Sequence, residues 1–132
     1  TEINTAKHYF KKFDKLKIKI ENKLKSLSTN KKVFFYGAGH QTINFMNILN
    51  IKKFISGVFD DSKIIHNLPI NNTKLKVKKF KHSLYDGDLI ITNMQYNAEK
   101  KVMKKIKRIN KKMNIIPFSI LNKKSSLWKL KF

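Results

Sequence analysis

A chain of 132 residues is long enough for one domain with one core, and its 41% hydrophobic content excludes an intrinsically disordered protein. The chain has no cysteine, which excludes disulfides, thiolate zinc sites and cysteine nucleophiles. Its formal net charge of +22 suggests nucleic acid or an anionic membrane surface as a partner. However, Arg108 is the only arginine, and base reading favours arginine, so we interpret the lysines as a solvated surface. A basic domain that binds nucleic acid or an anionic surface is an alternative function.

No apolar run approaches the ~20 residues that a membrane-spanning helix requires, and the polar start of the chain does not resemble a signal peptide. We therefore expect no transmembrane segment and a cytoplasmic location. The chain begins with Thr1 rather than methionine, which suggests a piece of a longer protein whose other domains belong to the same polypeptide.

The first predicted element is a long amphipathic helix over residues 5–27, with Asn4 or Thr5 as its N-cap. Its apolar side chains recur at steps of three and four, with lysines between them, at Phe10, Phe13, Leu16, Ile20, Leu24 and Leu27. We expect this apolar stripe to cover one face or edge of a sheet and the lysines to face solvent. A helix that lies on a membrane surface is the alternative.

A strand over residues 32–36, ending at Tyr36, leads into the turn Gly37-Ala38-Gly39, and a helix over residues 40–50 follows. A glycine turn between a strand and a helix is typical of a nucleotide-binding α/β unit. Glycine permits a positive φ and leaves room for a ligand, and the helix start offers N–H groups to an anion. Thr42 stands where the third glycine of Gly-x-Gly-x-x-Gly would fall, which weakens the specificity for a dinucleotide.

The first two residues of that helix, His40 and Gln41, are further candidate ligand contacts. A second strand is predicted over residues 54–59, and it ends at Asp60-Asp61. Asp60 follows Gly37 by 23 residues, near the spacing at which a carboxylate binds ribose hydroxyls. A turn or helix cap is the alternative reading of this acidic pair.

The remaining chain continues the alternation of short strands and helices. The predicted elements are an extended piece over 68–70, an edge strand over 74–78, a turn at 86–87, a buried strand over 88–93, a helix over 98–112 and a strand over 114–118. The segment 119–132 is a tail. Asn93, Gln95 and Tyr96 follow the buried strand, and we take them as candidate ligand contacts.

This order predicts the α/β class, with a mostly parallel sheet in a three-layer fold behind a long N-terminal helix. Ligands of such sheets bind beyond the carboxyl ends of the strands. The polar loops at 37–41, 60–62 and 93–97 are expected to converge there.

Several stretches together resemble a known family. The leading helix, "VFFYGAGHQT", "ISGVFDDS" with a downstream "LP", "DLIITNMQYNAE" and "NIIPF" resemble the C-terminal Rossmann-like domain of sugar C-methyltransferases over most of residues 5–118. A looser resemblance is to nucleotide-sugar-binding domains fused to sugar acyltransferases. By position, Tyr36 to Gly39 match the turn of the methyltransferase family, Asp60 and Asp61 its acidic strand end, and Tyr96 and Glu99 its last loop. Met94-Gln95 stand where that family has tryptophan-asparagine.

The resemblance implies a single Rossmann-like domain over residues 1–132, with its α/β core at 32–118. It would bind the nucleotide portion of a nucleotide-sugar, while other domains carry the chemistry of a carbohydrate-modifying transferase. We find no convincing catalytic set and expect no metal site, because the four histidines lack metal-ligand spacing. An NAD-dependent enzyme domain is the main alternative.

Overall fold

The computed structural model describes residues 2–70, 73–80 and 88–117, apart from the side chains of Tyr9 and Tyr96. In these residues a long helix is followed by five strands and two further α-helices. The elements are α1 (Glu2–Ser28), β1 (Val33–Tyr36), α2 (His40–Ile48), β2 (Gly57–Phe59), β3 (Val77–Lys78), β4 (Leu89–Thr92), α3 (Tyr96–Ile109) and β5 (Asn114–Pro117).

The strands form one five-stranded sheet in the order β3-β2-β1-β4-β5, and every pairing is parallel. β1 therefore lies at the centre, with β2 on one side and β4 on the other. The chain runs outward from β1 to β3 and then returns to continue on the opposite side. The predicted α/β class, the parallel sheet and the long leading helix are confirmed.

Alternate residues of the central strands divide the core into two clusters, one on each face of the sheet. Val33 and Phe35 of β1 pack with residues of α1 and α2, whereas Phe34 and Tyr36 pack with α3. Because side chains alternate across a strand, continuous apolar strands of this kind need a helical layer on both faces. The three-layer arrangement follows directly.

The leading helix begins earlier than the sequence predicted. Asn4 and Thr5 lie inside α1 rather than at its cap, since the helix starts at Glu2 and runs for 27 residues. Its contacts with the core are made from Phe13 onward, and Ile20 and Leu24 are fully buried. Phe10 in the first half is 65% exposed, so that part of the predicted apolar stripe does not cover the sheet.

Other predicted elements are shorter than expected or fall outside the described residues. β2 begins at Gly57 rather than at residue 54, and Phe54, the first residue of the predicted strand, belongs to the 3₁₀ turn Lys52–Phe54. The predicted edge strand is present as β3, an outer strand of the sheet. The turn at 86–87 and the tail at 119–132 lie outside the described residues. None of the described helices is both long and apolar enough to span a membrane.

Candidate functional site

The register of the three central strands brings the predicted loops together. Tyr36 pairs with Phe59 on one side and with Thr92 on the other. The next residues along these strands, Gly37, Asp60 and Asn93, therefore leave the sheet at the same level. This carboxyl edge lies where the strand order reverses beside β1, which is the ligand-binding position in open parallel sheets.

Gly37 is the residue at which the chain turns away from β1. Its φ is +100°, a region that favours glycine, and its N–H donates to the Phe59 carbonyl at 2.7 Å. A Cβ at this position would lie 2.8 Å from Cε of Met94. Glycine at this position thus permits both the positive φ of the turn and the close approach of the Met94 side chain.

Asp60 links the loop after β2 to the glycine turn. Its Oδ2 accepts from the Ala38 N–H at 2.8 Å, and its Oδ1 accepts from the Ser62 N–H at 2.8 Å. We expected bare amides along the turn, but those of Gly37 and Ala38 are bonded to the protein itself. Asp60 therefore already accepts two hydrogen bonds from main-chain N–H groups. Its ribose-binding role stays a prediction.

The helix that follows the turn begins without a side-chain cap. Gly39 occupies the N-cap position in extended conformation, and as a glycine it has no side chain with which to cap α2. His40 is exposed and Gln41 is half-buried in the first turn. The N-terminus of a helix carries partial positive charge, so an anion is stabilised at this point.

A second cluster on the β2 side joins Tyr36, Asp61 and Lys105. The buried Tyr36 hydroxyl donates to Oδ1 of Asp61 at 2.5 Å. Lys105 of α3 donates to the same oxygen at 2.5 Å and to the Tyr36 hydroxyl at 3.3 Å. These bonds connect β1, the loop after β2 and α3 at one point of the carboxyl edge.

The pKa values of Tyr36 and Asp61 in this cluster are shifted in opposite directions. Burial raises the pKa of Tyr36, and so do its hydrogen bond to Asp61 and the nearby charges of Asp61 and Asp60. Partial burial acts to raise the pKa of Asp61, but hydrogen bonds from Lys105 and Tyr36 outweigh it and the pKa is lowered. A tyrosine beside a lysine can act as an acid when its pKa is depressed. Here burial and the neighbouring carboxylates have the opposite effect, so the pKa of Tyr36 is raised instead.

Asn93, on the β4 side, has a different environment. Its side chain is 1% exposed, and neither Oδ1 nor Nδ2 has a hydrogen-bond partner among the described residues. Its main-chain carbonyl accepts from the buried Thr42 hydroxyl of α2 at 3.2 Å. A polar group that is buried and unpaired lies next to the start of α2.

The loop between β4 and α3 holds the remaining predicted site residues. Gln95 is the exposed N-cap residue of α3, and Tyr96 is the first residue of that helix, with its side chain outside the described residues. Glu99 is 2% exposed and accepts from the Thr92 hydroxyl at 3.0 Å. Glu99 therefore joins α3 to β4.

Comparison with protein-family models, with curated proteins and with solved structures gives no match to this chain. The sequence predictions did not include Lys105 or the Thr42 contact. Lys105 is one of many lysines in α3, so only the fold distinguishes it from its neighbours. In the described ranges, histidine, aspartate and glutamate side chains form no group of three that could hold a metal ion.

Proposed function

We propose that this chain is a Rossmann-like domain that binds a nucleotide or nucleotide-sugar within a larger carbohydrate-modifying transferase. The observation that carries the proposal is the position of the glycine turn. It follows the central strand where the strand order reverses, and it leads into a helix without a side-chain cap. A diphosphate at this point would meet the amides and the positive dipole end of α2.

Two further features support a ligand at this edge. One is that Gly39, at the start of α2, has nothing within 4 Å of the position of a Cβ. The other is the Asn93 amide on the neighbouring strand end, which has no hydrogen-bond partner among the described residues. The family resemblance given above agrees with this class of ligand.

The test is a calorimetric and thermal-shift titration of the full chain with UDP-, GDP- and dTDP-hexoses. The proposal expects saturable binding of at least one of them and a higher melting temperature in its presence. NAD and NADP are titrated alongside, and preferential binding of either would favour the NAD-dependent alternative. The absence of saturable binding by every nucleotide-sugar would overturn the proposal.

Binding to nucleic acid is a second candidate, favoured by the formal charge of +22. Such binding weakens steeply as salt rises, because each neutralised phosphate releases counterions. Titration of the chain with duplex DNA and with RNA at 50 and 200 mM salt therefore distinguishes nucleic acid binding from a specific nucleotide-sugar site. We expect the nucleotide-sugar affinity to change little over the same range.

A further inference from the structure

The chemistry of Asn93 specifies what a ligand must bring to it. An asparagine amide presents an acceptor, Oδ1, and two donors on Nδ2. An ionised phosphate carries acceptors alone, so it would leave Oδ1 without a donor. Hydroxyl groups both donate and accept, and two neighbouring hydroxyls would satisfy both atoms of this side chain. A group that both donates and accepts, such as the hydroxyls of a sugar, therefore matches Asn93 better than a phosphate does.

The position of Asn93 relates it to the start of α2. Leu89 and Ile91 of β4 face the layer that contains α2, whereas Thr92 bonds to Glu99 of α3. By the alternation of the strand, the next side chain returns to the α2 side, where the Thr42 hydroxyl contacts the Asn93 carbonyl. A phosphate at the first turn of α2 would thus have Asn93 beside it, on the β4 side of β1.

On the β2 side of the same edge, the two carboxylates already have hydrogen-bond partners. Asp60 accepts from Ala38 and Ser62, and Asp61 accepts from Tyr36 and Lys105. The carboxylates at the end of β2 therefore hold parts of the protein together by hydrogen bonds. The Asn93 amide, which has no hydrogen-bond partner within the described residues, lies on the opposite side of the proposed phosphate position.

We propose that Asn93 binds hydroxyls of a sugar adjacent to the phosphate, so that this domain recognises the sugar phosphate half of a nucleotide-sugar more than its nucleoside half. The inference rests on the proposed function and specifies that the site recognises the sugar phosphate part of the ligand. Access requires the rim of the site to move, since Asn93 is 1% exposed. The adjacent Met94 is half-buried, and a methionine side chain changes rotamer readily.

The experiment is a calorimetric titration of the full chain with UDP-, GDP- and dTDP-glucose, the three matching nucleoside diphosphates and glucose 1-phosphate. We expect glucose 1-phosphate to bind, and the best nucleotide-sugar to bind about tenfold or more tightly than its nucleoside diphosphate, as two hydrogen bonds would give. Asn93→Leu should reduce the affinity for the nucleotide-sugar to that for the diphosphate. Its melting temperature should be equal or higher, because an unpaired buried amide is removed.

Two further variants guard against a trivial loss of binding. Asn93→Ala, which cannot overpack the site, should lose the same affinity as Asn93→Leu. Asn110→Leu is the matched control, since Oδ1 of Asn110 accepts from the Lys112 N–H at 3.0 Å at the far end of α3. That control should lower the melting temperature and leave binding unchanged.

The outcomes separate the two proposals. If none of the seven compounds binds, the proposed function is wrong and this inference falls with it. If a nucleotide-sugar and its diphosphate bind equally well, or if Asn93→Leu binds the nucleotide-sugar as tightly as the natural chain, the inference is wrong while the proposed function stands. A lower melting temperature for Asn93→Leu with unchanged binding would identify Asn93 as a structural residue.

Discussion

The loops that follow β2 and β4 flank the same glycine turn, but their polar side chains differ in whether they have hydrogen-bond partners. After β2, Asp60 and Asp61 are both engaged by hydrogen bonds from other elements. After β4, the Asn93 amide is buried and without a partner among the described residues. Polar groups that satisfy each other hold loops together, whereas an unsatisfied one has capacity for a ligand. The sequence made Asp60 a candidate ribose contact, whereas we propose the Asn93 amide as a ligand contact.

The largest effect should come from Asp60→Ala. This change removes acceptors from the amides of Ala38 and Ser62, and we expect it to lower the free energy of unfolding by about 2–3 kcal/mol. Urea unfolding followed by circular dichroism measures the loss. Asp60→Asn retains an acceptor oxygen for the Ala38 amide and should lose less stability. If Asp60→Asn instead abolished nucleotide-sugar binding with little change in stability, the β2 side would be the ligand-reading side.

Gly37→Ala tests the turn that the two loops share. The residue has a φ of +100°, and a Cβ would meet Cε of Met94 at 2.8 Å, so we expect a loss of about 1–3 kcal/mol of stability. Gly39→Ala is the matched control, because Gly39 has φ −72° and open space around it. Its effect should stay below about 1 kcal/mol. Equal losses for the two variants would show that the turn does not depend on the conformation of Gly37.

Tyr36→Phe should lower stability at neutral pH by about 1–2 kcal/mol, because Asp61 loses a hydrogen bond from a buried hydroxyl. The natural chain carries a further signature at alkaline pH. Since the pKa of Tyr36 is raised in the folded state, its stabilising contribution is complete below the unfolded pKa of about 10 and decreases as pH rises above it.

The measurement is chemical unfolding of both chains between pH 8 and pH 12. The difference in stability between the natural chain and Tyr36→Phe should shrink above pH 10. A difference that is constant over the whole range would contradict the raised pKa.

Lys105→Met should have the smallest effect, below about 1 kcal/mol, since the side chains of Lys105 and Asp61 are 47% and 51% exposed. The pKa of Asp61 is lowered in the folded state, so its contribution is present above the unfolded pKa of about 4 and is lost as pH falls through the folded value. The variant should therefore lose less stability than the natural chain between pH 5 and pH 2. Acid unfolding curves that differ by a constant amount would show that Lys105 does not influence Asp61.

Local patterns were sufficient for the class of fold. The apolar runs at Val33–Tyr36 and Leu89–Thr92 indicated buried strands, and the three- and four-residue steps around Ile20 and Leu24 indicated a helix that packs on a sheet. These signals are periodicities within one segment, so they need no knowledge of the rest of the chain. The same patterns could not place the start of α1 at Glu2 or the late start of β2, because packing decides such boundaries.

The sequence by itself also determined which loops are polar and where the chain must turn, since glycine at position 37 accommodates the positive φ of the turn. Which polar groups lack a hydrogen-bond partner depends on contacts that form only in the folded chain. Lys105 lies 44 residues beyond Asp61 in the chain and Thr42 lies 51 residues before Asn93, so these pairs form only when the strands adopt the order β2-β1-β4. Hydrogen-bond satisfaction is a property of the folded arrangement, and for that reason the distinction between Asp60 and Asn93 is absent from the sequence.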